Sequence, residues 1–471
     1  MNYVEKLSQI IEKHRDETIS ISDKVWDFAE SRFQEFKSVA LQKEYLASLG
    51  FKITDNLGGA ETAFMAEAGC GKPVIGFLGE YDALSGLSQE ADCDVHTPIK
   101  TGGDGHGCGH NLLGAGALAA AVAMKEYMEE EKITGTIRYY GCPAEENAGG
   151  KAFMVRDGAF DDCDLALAWH PGSSNFINLT GSLANFRVFY TFHGKSAHAA
   201  GSPHLGRSAL DAVELMNVGV NYMREHMISE ARVHYAVTNT GGTAPNVVQA
   251  EAQVLYAIRA PKVQQVKELY DRVCKIAQGA ALMTETEVEI KQVAAYADYI
   301  GNDIIAERLT KHMEDVLPIG YTEEELAYAK KFTKVITDLD AMSVKKKAKK
   351  LAGKDADKLI ETPIWDFLCP PASSGASTDV GDVSWVCPTG YFHVATLAVG
   401  TPGHAWQTVA QGKSSNAHKG MLAAAKVMAA TAYDFMTDAD LLEEAKKDWL
   451  EKLDGEVYPN ALPKDAKPEI W

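Results

Sequence analysis

The sequence predicts an α/β protein: a mostly parallel sheet covered by helices, with a smaller βαββαβ (ferredoxin-like) domain inserted into it. Three observations lead there. Short apolar runs closed by polar turns alternate with helix-length stretches, the pattern of parallel strands joined by crossover helices. Near Asn185 the order changes to strand, helix, strand, strand, helix, strand, which is that of a split βαβ unit. The residues able to do chemistry fall at the ends of the apolar runs, where open parallel sheets place their binding crevice. The expected division is therefore a discontinuous catalytic domain, residues 1–184 and 296–471, and a lid or dimerisation domain, residues 185–295.

Taken in order, the first fifty residues have helical apolar spacing (Ile10, Ile11, Val25, Trp26, Phe28, Ala29), and Gly50 stops them. Residues 74–78 are a continuous apolar strand followed by Gly79-Glu80-Tyr81-Asp82. A Gly-rich loop, 101–110, leads into a small-residue helix over 112–128. The strand 136–142 runs into Pro143-Ala144-Glu145-Glu146, and the strand 165–169 into His170. In the inserted domain, strands are expected over 186–194, 233–238, 250–259 and 286–293, with helices over 206–226 and after Pro261. The second of these helices is amphipathic, with Val263, Val266, Leu269, Val273 and Ile276 on one face. Residues 321–371 form a charged, helix-leaning insert, and its run Lys345-Lys346-Lys347-Ala348-Lys349-Lys350 reads as a solvated helix face. A last strand, 392–399, precedes Gly403-His404.

Composition narrows the partners. With 65 acidic against 46 basic residues the net charge is −19, which disfavours nucleic acid and anionic membranes but not a small acidic substrate held by a local Arg. The longest apolar run, 112–124, falls short of the ~20 residues of a membrane span. The first residues lack the apolar core of a signal peptide, and eight scattered cysteines have no framework spacing. A reduced, cytoplasmic protein is expected.

The strand-end residues define the chemistry. Cys108 and His110 lie in the loop before a helix, and Asp82, Glu145 with Glu146, His170 and His404 follow four strands. Five ligands (Cys108, His110, Glu146, His170 and His404) exceed the three that a single catalytic zinc takes, and suit two divalent metal ions sharing a ligand. Adjacent Glu145 and Glu146, in extended backbone, would point opposite ways, one to the metal and one to the attacking water. Competing motifs fail: there is no dinucleotide fingerprint, no G-x-S-x-G elbow and no H-E-x-x-H. A Cys108 nucleophile would leave the other strand-end ligands unexplained.

These residues resemble the two-metal aminoacylase and carboxypeptidase-type amidohydrolases, in the branch with a Cys-Gly-His metal motif. The likeness rests on Gly79-Glu80-Tyr81-Asp82-Ala83-Leu84, His106-Gly107-Cys108-Gly109-His110-Asn111, Cys142-Pro143-Ala144-Glu145-Glu146, Trp169-His170-Pro171, Gly194-Lys195-Ser196-Ala197-His198-Ala199-Ala200 and Gly403-His404. The run from Ser377 to Trp385 and the charged insert are similar to the subgroup of two-subunit hydrolases of p-aminobenzoyl-glutamate. The resemblance implies that Cys108, His110, Glu146, His170 and His404 bind two ions, zinc or manganese. It makes Glu145 the general base and gives His198 the oxyanion. It implies a homodimer whose His198 serves the partner's site, with room for a second hydrolase subunit. Asn246 and Arg259 match positions that hold a substrate carboxylate. Two positions depart from the branch: Asn111 stands where many members have Asp, and Glu80 where an Asp is common. The implied reaction is metal-dependent hydrolysis of an amide bond to a carboxylate-bearing amino acid, with N-acyl or N-aroyl glutamate as leading substrate type. The other readings are a dipeptidase or N-deacylase of the same family, and a non-catalytic partner in a two-subunit hydrolase.

Overall fold

The computed structural model describes residues 2–179, 181–372 and 376–470. Among the described residues, eleven strands form two sheets. The first sheet contains β1 (Lys52–Asp55), β2 (Phe64–Cys70), β3 (Val74–Glu80), β4 (Gly135–Cys142), β5 (Leu165–Gly172) and β6 (Phe176–Ile177). The second contains β7 (Ala184–His193), β8 (Arg232–Asn239), β9 (Glu251–Ala260) and β10 (Glu287–Tyr296), after which β11 (Thr389–Ala395) returns to the first.

The first sheet has the order β1-β2-β4-β3-β5-β11-β6. Its four central strands, β4, β3, β5 and β11, are parallel, and antiparallel pairs close both edges. The central strands are buried along almost their whole length, as parallel strands covered on both faces must be, which is why they read as unbroken apolar runs. The helix His110–Glu131 packs on one face of this sheet together with Ser415–Thr437. Its small residues bring it close: a side-chain carbon on Gly114 would lie 2.4 Å from the Glu80 carbonyl oxygen at the end of β3.

The second sheet is wholly antiparallel, order β10-β7-β9-β8. One face, carrying Phe186, Val188, Tyr190 and Phe192 of β7 and Val254, Tyr256 and Ile258 of β9, packs on the helices Ala209–Met223 and Val263–Thr284. The opposite face carries Asn185 and Arg187 of β7 and Arg259 of β9, because alternate residues of a strand point to opposite sides. The architecture is thus a large, mostly parallel sheet with helices and a second, small antiparallel sheet, as expected.

Several elements differ from expectation. The last strand ends at Ala395 instead of 399: the amide of Ala395 is taken by the Asn175 side chain, and those of Thr396 and Leu397 by the Gly172 carbonyl. The apolar residues beyond it are buried loop. The edge strands β1, β2 and β6 are too short or too mixed in composition to stand out. The charged insert contains the helices Glu323–Phe332, Asp338–Ala352 and Ala356–Glu361, and the lysine run lies exposed on the second of them. Lys347 alone of these lysines folds inward, donating to Ser174 Oγ at 2.8 Å over the Trp365 ring.

Candidate metal centre and active site

Parallel strands all end at the same edge, and that edge collects the predicted residues. β3 delivers Glu80 and Asp82, β4 leads into Glu145 and Glu146, and β5 carries His170 near its end. Cys108 precedes, and His110 begins, the helix that follows the Gly-rich loop. The turn between them depends on Gly109, which has φ 78°; a side-chain carbon there would lie 2.7 Å from Cγ of Pro171. His404 comes from the loop after β11, where its amide donates to the Gly107 carbonyl at 2.9 Å. Its own φ of 55° is a strained value for a non-glycine residue and aims the ring at Glu146.

The contacts form two triads. Cys108 Sγ lies 3.3 Å from His170 Nε2, and Cys108, His110 and His170 offer ligand atoms within 4.8 Å of one another. Glu146 Oε1 lies 3.3 Å from His404 Nε2, and these two make a second group of the same compactness with Cys108. Cys108 belongs to both groups. A third group joins Glu80, His110 and Glu145.

The ring nitrogens are sorted by their partners. His110 Nδ1 donates to Asp82 Oδ1 at 2.8 Å, and His170 Nδ1 to the Pro171 carbonyl at 2.7 Å, so both Nε2 atoms turn toward the cluster. Asp82 also takes the Glu146 amide on its other oxygen, at 3.0 Å. His110 Nε2 has Glu80 Oε2 at 3.1 Å and Glu146 Oε1 has His404 Nε2 at 3.3 Å, so the donor atoms of the cluster meet one another and not the rest of the protein. Soft sulfur, imidazole nitrogens and a carboxylate around one cavity are a transition-metal donor set, and these residues fit divalent ions.

The two adjacent glutamates are separated electrostatically. Burial pushes Glu146 up, but His404 and His110 outweigh it and hold its carboxyl at about 2. Glu145 is driven well above the usual carboxylate range by burial and by the negative charge of Glu80, Glu146 and Asp379. Neighbouring carboxyls pushed apart in this way are the mark of divided acid–base roles. The expected extended backbone is not what separates them. They sit in a turn after β4, entered through Ala144 at φ 55°, where the Ala144 carbonyl receives the amides of Ala148 and Gly149. The Cys108 thiol is pushed well up by burial and by Glu146, which makes an uncoordinated thiol there a poor nucleophile.

A cavity of about 170 Å³ opens between this cluster and the second sheet, on the face opposite its helices. Cys108, Glu145, Glu146, His170 and His404 line one wall, and Asn185, Arg187, Arg259 and Tyr296 the other. Arg259 Nη1 reaches Ser377 Oγ at 3.4 Å, while its Nε is buried without a partner. His198 and Asn246 are elsewhere. Both are exposed; His198 Nδ1 accepts the amides of Ala200 and Gly201, and the Asn246 carbonyl accepts that of Ala199. Asn111 does not orient His110 either. Its side chain points away to Ser22 Oγ and the Gly412 carbonyl, and Asp82 does the orienting.

Among the residues of this site that sequence reasoning missed, four stand out. Lys151 is fully buried, with Nζ 2.5 Å from Glu80 Oε1 and 2.6 Å from Asp379 Oδ1. Glu35 takes the amides of Phe33 and Ala144, the second of which immediately precedes Glu145. His393 lines the cavity, next to His170 in the β11–β5 register, and stacks on Phe176. Asn185 is the fourth. A polar residue inside an apolar strand was the available signal for His393 and Asn185; Lys151 and Glu35 had none.

A parallel-sheet edge that gathers such a donor set beside a raised carboxyl and a half-buried arginine defines a metal-dependent hydrolase of amide or peptide bonds. Residues 76–302 match Peptidase family M20/M25/M40. The chain is 46% identical over 470 residues, 98% of this chain and 98% of the relative, to one of the subunits of the p-aminobenzoyl-glutamate hydrolase of Escherichia coli (strain K12). To a second, different subunit of that hydrolase, from the same organism, it is 31% identical over 256 residues, covering 50% of this chain and 56% of the relative. An aminobenzoyl-glutamate utilization protein from Klebsiella pneumoniae shares the fold, with a TM-score of 0.59 and 17% identity over 91% of this chain and 98% of that one. The chain belongs to peptidase family M20/M25/M40, a family of metal-dependent hydrolases.

Proposed function

We propose that this protein hydrolyses the amide bond joining an acyl or aroyl group to an amino acid with a free carboxylate, with p-aminobenzoyl-glutamate as the substrate type. The observation that carries the reading is the cavity itself, which brings Glu145, with its raised carboxyl, and Arg259 into one lining of about 170 Å³. The similarity along the whole chain to a p-aminobenzoyl-glutamate hydrolase supports the substrate type.

Two divalent ions, zinc or manganese, would be held by Cys108, His110, Glu146, His170 and His404. Such ions polarise a scissile carbonyl and acidify the attacking water. Arg259 grips the substrate carboxylate with its guanidinium fork and so fixes the amide against the opposite wall. A Glu145 carboxylate oxygen takes the proton of the attacking water and returns it to the leaving nitrogen; its high proton affinity suits the second task. Residues 185–295 act as a lid and dimerisation domain. His198, exposed and absent from the lining of its own chain's cavity, stabilises the oxyanion in the other copy, and Asn246 beside it joins the carboxylate site there. A second hydrolase chain is a further partner, suggested by the two different subunits among the relatives. No helix of the described residues is long and apolar enough to cross a membrane, and the cytoplasm is the proposed location.

Chelation should abolish hydrolysis of N-acyl amino acids, and Zn²⁺ or Mn²⁺ should restore it; full activity in rigorously metal-free protein would refute the reading. Glu145→Ala should lose about 10²–10⁴-fold in kcat with metal content unchanged. Assaying the chain alone distinguishes it from a non-catalytic partner.

A further inference from the structure

Asn185 is the most conspicuous unexplained group in the cavity. Its side chain is 1% exposed, and neither its Nδ2 nor its Oδ1 has a hydrogen-bond partner. A buried carboxamide normally satisfies both atoms within the protein. In the sheet it stands directly between Arg259 on β9 and Tyr296 on β10, the register partners on either side of it. Arg187, two residues along β7, projects from the same face. It is held in place by the carbonyl and side-chain oxygens of Asn147, at 3.0 and 3.2 Å, in the turn that carries Glu145. The cavity wall therefore presents two guanidinium groups with an unsatisfied amide donor set among them, all on the lid sheet.

One arginine suffices for the single carboxylate common to every substrate of the reaction proposed above. The second, with Asn185, points to a second anionic group on the same molecule. We infer that Asn185 and Arg187 form a subsite for the side-chain carboxylate of the substrate, selecting amides of glutamate over amides of neutral amino acids. The inference rests on the reading of Arg259 as the partner of the α-carboxylate. Cross-strand neighbours stand about 5 Å apart, comparable with the separation of two carboxylates across two methylenes, so one glutamate spans Arg259 and the Asn185–Arg187 pair. Asn185 Nδ2 donates to the side-chain carboxylate, and its Oδ1 remains to accept an N–H from the substrate. A carboxamide in place of that carboxylate offers the Arg187 donors one neutral oxygen instead of two charged ones, and the lost charge-assisted bonding sets the preference.

The test is calorimetric titration of the purified protein with L-glutamate and with L-glutamine, for wild type, Asn185→Leu and the isosteric Asn185→Asp. Wild type should bind glutamate at least about tenfold more tightly than glutamine. The ratio should fall toward one in Asn185→Leu and invert in Asn185→Asp, where a carboxylate would face a carboxylate. Absent glutamate binding, equal binding of the two ligands by wild type, or an unchanged ratio in both variants overturns the subsite. Hydrolysis of N-acylglutamate and N-acylglutamine is measured on the same samples. Hydrolysis without discrimination removes the subsite and leaves the reaction; glutamate selectivity without any hydrolysis removes the reaction and leaves the subsite.

Discussion

Glu35 shows how a residue far from the strand ends becomes part of the site. It is buried beneath the turn that presents Glu145, and burial, with the negative charge of Asp82, raises its carboxyl from about 4.5 to about 7. A carboxyl raised by folding stabilises the protein below its unfolded value, and this contribution is lost as pH climbs through the folded value. Between pH 4.5 and 7 that amounts to about 3 kcal/mol. In metal-stripped protein, Glu35→Gln should keep the amide contacts and lose this dependence. Denaturant melts at pH 5 and pH 8 should shift the stability difference in the variant's favour by about 2–3 kcal/mol at the higher pH. Parallel behaviour at both pH values would reject the assignment. Lys151 is the opposite case, a cation wedged between Glu80 and Asp379. Lys151→Met removes one partner and leaves two buried carboxyls uncompensated, for an expected loss of about 3–5 kcal/mol of unfolding free energy. A loss below about 1 kcal/mol would show that the pair is not strongly coupled to folding.

At the scale of elements, the site depends on how tightly loops and helices meet the sheet. The Gly109 turn is the sharpest example, since it combines a left-handed backbone with contact against Pro171, the residue after His170. Gly109→Ala should cost about 1–2 kcal/mol in backbone strain. By pushing Cys108 and His110 away from His170 it should also weaken metal binding by about tenfold or more. Competition titration with a chromophoric chelator measures this, and unchanged affinity would mean that the turn adjusts without moving its ligands. The segment from Ser377 to Trp385 also works as a unit. Asp382 receives the Ala297 amide, Ser384 that of Ile300, and Trp385 donates to the Asp298 carbonyl. This stretch pins the chain where it leaves β10, and Asp379 within it holds Lys151. In sequence the segment marked only a subgroup; in the fold it clamps the junction between the two sheets.

For the whole molecule, His198 is exposed and stands outside the lining of its own chain's cavity, so the proposed catalysis needs two copies. Glu145→Ala and His198→Ala should each be nearly inactive alone. Mixed and allowed to exchange, they should recover up to about a quarter of wild-type activity, because half the dimers are mixed and each mixed dimer has one intact site. An inactive mixture, with exchange verified by native mass spectrometry, would place the function of His198 within its own chain. The sequence by itself determined the α/β class and the succession of elements in the second sheet's segment, and it singled out five ligand candidates. Those features are local: apolar period reports strand or helix, and parallel strands must end at one edge. The tertiary structure decided that Cys108 is common to two donor groups, that Asp82 and not the residue at 111 orients His110, and that Glu145 and Glu146 separate in a turn. It alone revealed Glu35, Lys151 and the unsatisfied Asn185. These depend on burial and on charges brought together from distant parts of the chain, and a polar residue's environment is set by what packs against it, not by its neighbours in sequence.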